Sequence, residues 1–170
     1  MGVALQDMHA PNEVPPAYSG RFKQYTEDFA MYNGMATAAD DVFGNMTSLL
    51  KEKGMYANTV IVVVSDNGGP PAMYVSGHMG NNWPLRGGKQ TDFEGGIRTV
   101  SFVGGGFVSA EAKGTARQQY AHAADWYPTL CTLAGGDDCF DEAAAKERSV
   151  PAVDGFDLWP YLTGDQSSPI

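Results

Sequence analysis

Apolar residues recur at Met31, Met35, Ala38, Val42, Met46 and Leu49. Those steps of three and four predict a helix from Asp28 to Lys53 with one buried stripe, and Gly54 stands where such a helix stops. Ahead of it, His9-Ala10-Pro11-Asn12-Glu13-Val14-Pro15-Pro16 places three prolines in six residues, which excludes a helix. Behind it, Thr59-Val60-Ile61-Val62-Val63-Val64-Ser65 is β-branched and apolar on both faces. That is the pattern of a central strand covered by helices on both sides. A glycine-rich loop then runs from Asp66 to Arg98, far longer than an ordinary connection. Val75 is too isolated within it to make a strand, whereas Thr99-Val100-Ser101-Phe102-Val103 predicts one. Ala116 to Leu133 reads as helical, with Asp125 placed to cap a fresh turn at Trp126-Tyr127-Pro128. Residues 135–154 form a polar, acidic stretch, and Phe156 to Leu162 form a last short apolar element. The alternation of helix and strand predicts an α/β fold with a central, mostly parallel sheet.

Composition narrows the classes. A length of 170 residues suits one domain, and 43% hydrophobic with 18% charged residues describes a globular chain. The net charge of −9 argues against nucleic acid as a partner, because phosphate contacts need clustered Lys and Arg. No uninterrupted apolar run approaches the roughly 20 residues of a membrane span. The opening Met1-Gly2-Val3-Ala4-Leu5-Gln6 has no basic leader and reads as the tail of a strand rather than a signal peptide. Gln6 stands where a myristoylation signal wants Ser or Thr, which argues against lipidation of Gly2. Cys131 and Cys139 are too few for a disulfide scaffold. Their spacing allows one small loop to close in an oxidising compartment, and two free thiols are the alternative. Asn45-Met46-Thr47 matches a glycosylation acceptor but falls inside the predicted helix. Gly104-Gly105-Gly106 lacks the spacing of a phosphate loop and reads as a turn.

Candidate chemistry begins at Ser65-Asp66-Asn67-Gly68-Gly69, where the predicted strand ends. Ligands of open α/β sheets bind at the carboxyl ends of strands. Asp66 and Asn67 offer a carboxylate and an amide carbonyl, hard oxygen donors suited to Ca²⁺ or Mg²⁺. An Asx turn that merely ends the strand is the other reading of the same pentapeptide.

Further on, Asn81-Asn82-Trp83-Pro84-Leu85-Arg86-Gly87-Gly88-Lys89 leads into Phe93-Glu94-Gly95-Gly96-Ile97-Arg98. With Asp66-Asn67-Gly68-Gly69, this order and spacing resemble the sulfatase family, most closely arylsulfatase B-like enzymes of the alkaline-phosphatase-like superfamily. Ala4-Leu5-Gln6-Asp7-Met8-His9-Ala10-Pro11, Asp125-Trp126-Tyr127-Pro128-Thr129-Leu130 and Asp154-Gly155-Phe156-Asp157 extend the likeness over most of the chain. The resemblance implies a partial alkaline-phosphatase-like sandwich, with residues 1–170 as the C-terminal part of a sulfatase catalytic domain. It implies that Asp66 and Asn67 are two ligands of an active-site divalent cation, usually Ca²⁺. Lys89 falls at the position of the lysine that contacts the substrate sulfate, and His9 at that of the histidine near the bridging oxygen. An ammonium suits an anionic oxygen as a point charge, and imidazole can supply the proton a departing oxygen needs. The substrate implied is a sulfated small molecule or glycan, and the compartment implied is secretory, lysosomal or extracellular.

Other residues have plainer readings. Glu94 and Arg98 read as a structural ion pair that braces the lysine loop. Phe93 stands where relatives often carry Trp, a difference of packing. His78 lies in a Gly-Met loop, and His122, on the predicted helix, reads as structural. The family nucleophile, a Cys or Ser converted to formylglycine within Cys/Ser-x-Pro-x-Arg, has no match: Cys131 is followed by Thr132-Leu133-Ala134, and Cys139 by Phe140-Asp141-Glu142. That motif, the paired aspartates of the metal site and a further Lys and His are expected upstream of Met1. Sulfuric ester hydrolysis is thus the expected activity of the parent enzyme, with the isolated chain inactive. A phosphoester or phosphonate hydrolase of the same superfamily and a non-catalytic binding or structural module are the alternatives.

Overall fold

The computed structural model describes residues 2–70, 80–118 and 120–164. Val75 and His78 lie outside the described residues. The chain divides into two compact units, one ending at Phe107 and the other beginning at Val108.

The first unit is built on one long helix. A short helix α1 (Pro16–Ser19) and a 3₁₀ turn (Gly20–Phe22) precede α2 (Glu27–Glu52). Glu27 and Asp28 in the first turn and Lys51 in the last complement the helix dipole. Gly54 ends α2 as expected, in the left-handed region at φ 68°. Its N–H donates to Lys51 O (3.1 Å) while Met55 N–H donates to Leu50 O (2.9 Å), the paired bonds of a Schellman stop. The buried stripe differs from the expected one by about one residue. Ala30, Gly34 and Met35 are buried, and Phe43, Met46, Thr47 and Leu50 face the sheet. Val42 and Leu49 are exposed. Phe43, Met46, Thr47 and Leu50 follow the helical repeat as well as the expected set does, and Phe43 brings the larger ring to the sheet.

After a 3₁₀ turn (Tyr56–Asn58) come strand β1 (Ile61–Val64), helix α3 (Glu94–Ile97) and strand β2 (Ser101–Gly104). The described sheet has these two strands, antiparallel, with Val62 opposite Val103 and Val63 opposite Phe102. Helix α2 and the sheet line a cavity of about 200 Å³ between them, with Phe43, Leu50, Ile61, Val63 and Phe102 in its walls. The parallel partners expected for β1 are not among the described residues, and β1 is half-buried rather than covered on both faces. An apolar β-branched run does not specify the direction of its neighbour.

The second unit contains a 3₁₀ turn (Ala123–Asp125) and helices α4 (Trp126–Leu133), α5 (Glu142–Arg148) and α6 (Trp159–Thr163). The helix expected from Ala116 begins ten residues late. A helix continuous from there would hold Pro128 in its interior, where the ring meets the carbonyl four residues back. Starting at Trp126 puts Pro128 in the first turn, where no N–H is missed. Asp125 does not cap α4 with its side chain. Its buried carboxylate instead accepts from His122 N–H (2.6 Å) and Phe156 N–H (2.9 Å), while Thr129 Oγ1 accepts from Leu158 N–H (2.8 Å). These bonds seat Leu158, fully buried, over α4. His122 is structural, but at a turn: its Nδ1 accepts from Ala124 N–H (3.2 Å) and completes a capping box with Asp125. Helix α5 lies in the stretch for which sequence predicted no element. Its run Glu142-Ala143-Ala144-Ala145-Lys146-Glu147-Arg148 is made of strong helix formers, and the Asp138 carboxylate receives the N–H groups of Glu142 and Ala143. Cys131 and Cys139 form a disulfide with their Cα atoms 5.5 Å apart.

Candidate active site

The loop that leaves β1 is held by main-chain bonds. Ser65 N–H donates to Val100 O (3.0 Å), and Gly68 N–H donates to Gly96 O (2.9 Å). Glycine is required at this crossing: a Cβ on Gly68 would collide with the Gly95 carbonyl, and one on Gly96 with the Thr91 carbonyl. The strand-end loop and the turn that opens α3 therefore pack backbone on backbone. Asp66 is exposed there and Asn67 half-buried. Asn67 Nδ2 donates to Gly68 O (3.0 Å), which fixes the amide plane and leaves Oδ1 to accept.

The lysine loop is clipped to the same place by a side chain that motif reading passed over. Asn82 Oδ1 accepts from Gly69 N–H (2.9 Å), and its Nδ2 donates to Gly69 O (2.6 Å) and Gly87 O (3.2 Å). Lys89 N–H donates to that same Gly69 oxygen (3.1 Å). The signal that could have found Asn82 is local: a residue with both a donor and an acceptor, standing at the head of a Trp-Pro turn. Thr91 Oγ1 closes the loop below Lys89, donating to Gly88 O (2.7 Å) and accepting from Gly88 N–H (3.2 Å). The Arg86 guanidinium lies 4.0 Å from the centre of the Phe93 ring, and Gly95 N–H donates to Arg86 O (2.7 Å). Arg98 and Glu94 form the expected pair at 3.4 Å, well exposed, so its brace on the loop is a weak one.

Two of the expected site residues meet directly. Lys89 Nζ lies 3.3 Å from His9 Nε2, across 80 residues of sequence. His9 Nδ1 is 2.8 Å from Ala10 O. A carbonyl oxygen can only accept, so we assign the Nδ1 proton to that bond. With that proton on Nδ1, Nε2 turns its lone pair to Lys89 Nζ. Both residues follow or precede a strained neighbour: Met8 (φ 63°) and Gln90 (φ 71°) occupy the left-handed region without being glycine. Asp66 and Asn67 connect to this pair through the main chain of Gly69, three and two residues on, whose oxygen accepts from Lys89 N–H; no ion pair links Asp66 to Lys89 among the described residues.

The donor chemistry suits a hard cation only in part. A carboxylate and an amide oxygen on adjacent residues fit Ca²⁺ or Mg²⁺, yet either ion asks for about six oxygens or more. Among the described residues no cluster of three or more His, Cys, Asp or Glu could hold a metal, and no helix is long and apolar enough to cross a membrane.

Comparison with known proteins places the chain. The family model described as Sulfatase matches residues 1–136. Arylsulfatase J of Mus musculus is 38% identical over 168 residues, 98% of this chain and 25% of that protein. N-acetylgalactosamine-6-sulfatase of Mus musculus is 31% identical over 163 residues, covering 96% of the chain and 28% of the relative. The crystal structure of Ps i-CgsB in complex with k-i-k-neocarrahexaose superposes with a TM-score of 0.73 at 28% identity, over 93% of this chain and 32% of that one. The chain thus spans about a quarter of the length of these curated relatives. The match to the family runs through the strand end, the Asn82 clip and the Lys89 loop alike, and the chain belongs to the sulfatase family.

Proposed function

We propose that these 170 residues are the C-terminal part of a sulfatase catalytic domain, in an enzyme that hydrolyses sulfate esters of small molecules or glycans. The observation that supports this most is the approach of Lys89 Nζ to within 3.3 Å of His9 Nε2. A sulfate ester brings anionic oxygens and a bridging oxygen that must leave with a proton. Lys89 holds one anionic oxygen as a point charge. His9, its Nδ1 proton committed to Ala10 O, turns Nε2 to the leaving oxygen and, once Nε2 has taken up a proton, delivers it there. Asp66 and Asn67 are two ligands of a divalent cation, Ca²⁺ before Mg²⁺, which when bound supplies further positive charge to the sulfate. The nucleophile, a formylglycine in the family, has no Cys/Ser-x-Pro-x-Arg frame in this sequence. The disulfide between Cys131 and Cys139 supports an oxidising, secretory-type compartment.

The test is hydrolysis of a chromogenic aryl sulfate by a longer sulfatase chain that contains both these residues and the nucleophile motif. Replacing His9 with Ala should lower kcat by about 10²- to 10⁴-fold, the range for a lost general acid. Replacing Lys89 with Ala should weaken sulfate binding as well as slow turnover. Unchanged kinetics in both variants would overturn the assignment.

A further inference from the structure

Trp83 is 85% exposed, the most of any large apolar side chain among the described residues. A mobile loop would make that unremarkable, but Trp83 sits on a turn that is held at every step. Its own N–H donates to Asn81 Oδ1 (3.0 Å), and Leu85 N–H closes the turn on Asn82 O (2.7 Å). Asn82 is fastened to Gly69 and Gly87 by three bonds. Lys89 shares the Gly69 oxygen with Asn82, so the indole and the ammonium ride on one clipped loop. The backbone under the indole is thus fixed, and the ring stands out from it with 85% of its surface exposed.

We propose that Trp83 is a sugar-stacking subsite on the loop that carries Lys89, taking the C–H face of a pyranose in a sulfated glycan. This rests on the sulfatase reading given above. An indole offers a broad flat apolar surface at the cost of few rotamers. A pyranose offers a matching apolar C–H face while its hydroxyls stay hydrated. The anionic ester then goes to Lys89 and the ring to Trp83, so that affinity for the sulfate is general and affinity for the sugar is selective.

The experiment is an NMR titration of the 170-residue chain with three probes: methyl sulfate, a sulfated disaccharide and the same disaccharide without sulfate. The indole N–H of Trp83 is read against those of Trp126 and Trp159, together with the ring resonances of His9. The sulfated disaccharide should move both Trp83 and His9, and methyl sulfate should move His9 alone. In Trp83→Ala the ratio of disaccharide affinity to methyl sulfate affinity should fall about tenfold, with Trp83→Phe restoring most of it. If His9 responds to the disaccharide while Trp83 is silent, the subsite is wrong and the anion site stands. If Trp83 responds equally to the unsulfated sugar with His9 silent, ring binding is independent of the ester and the proposal fails. If neither residue responds to any probe, the anion-site reading falls and takes the subsite with it. Equal strengthening by a phenyl sulfate would make Trp83 a general aromatic contact and overturn its assignment to sugar.

Discussion

Asp125 shows how much one side chain can organise. Its two oxygens receive main-chain N–H groups from His122 and Phe156, residues far apart in sequence, and the group is almost wholly buried. Replacing it with Ala would leave two donors without partners, and each such loss costs about 1–3 kcal/mol. Asp125→Ala should therefore lower stability by about 3 kcal/mol, read as a drop in the urea midpoint of unfolding. Tyr127 illustrates a weaker link. Its hydroxyl donates to the Asp141 carboxylate (3.0 Å), and this bond holds the phenol above its ordinary pKa of 10.0, with burial and the charge of Asp141 adding to it. Because the folded value is the raised one, the bond's contribution is complete below pH about 10 and is lost as pH rises through the folded value. An ultraviolet titration of tyrosinate should show a late-ionising component that Tyr127→Phe reduces. Asn82 was the functional-site residue least legible in sequence. Asn82 stands in the same motif as Lys89, but it matters through an amide that bridges two stretches of main chain, and only the Trp-Pro turn behind it hints at that in the sequence.

Among elements, the one-residue precision at each end of α2 contrasts with the late start of α4. The α2 pattern carries its own stop in Gly54, while α4 is set by the interior cost of Pro128, a penalty that outweighs the helical periodicity upstream of it. The direction of the β1–β2 pairing was not legible at all, because a run that is apolar on both faces pairs either way. The disulfide was open on spacing alone, and the structure closes it across a loop of sequence separation 8. Loop-closure entropy for so short a loop gives about 2.5 kcal/mol of stabilisation at 25 °C. The Cys131→Ala, Cys139→Ala double variant should lose about that much in chemical denaturation, and the oxidised parent should match it after reduction. The crossing of Gly68 and Gly96 makes a sharper demand. Gly96→Ala forces a methyl into the Thr91 carbonyl, so the lysine loop must move, and the contact between Lys89 and His9 should vanish from NMR distance measurements.

At the scale of the molecule, the site is a rim with part of its chemistry. Two oxygen donors fall short of a calcium shell, so calorimetry on this chain should find no Ca²⁺ site tighter than about millimolar. A micromolar site abolished by Asp66→Ala would show that further ligands come from within these 170 residues. Turnover of a chromogenic aryl sulfate by the chain alone should be absent, because covalent catalysis needs a nucleophile and both cysteines are bonded to each other. Activity that disappears on Lys89→Ala would reveal a nucleophile that no family motif marks. What the sequence showed well at this scale was membership: the motifs occur in the family's order, over the residues that the family model matches.

The bond from Gly68 N–H to Gly96 O also bears on how this protein ages. Asn67-Gly68 is a dipeptide prone to losing side-chain ammonia, a reaction in which the glycine nitrogen attacks the asparagine side-chain carbon to close a five-membered imide. Here that nitrogen is committed to Gly96 O at 2.9 Å, and the Asn67 amide is committed to Gly68 O. The folded rim thus protects its own candidate metal ligand from conversion to aspartate or isoaspartate, and the damage can proceed only when the crossing opens. Mass spectrometry of stored protein should find Asn67 intact in the native chain and converted in urea. The rate in Gly96→Ala should fall between the two, a slow chemical clock for how often the site comes apart.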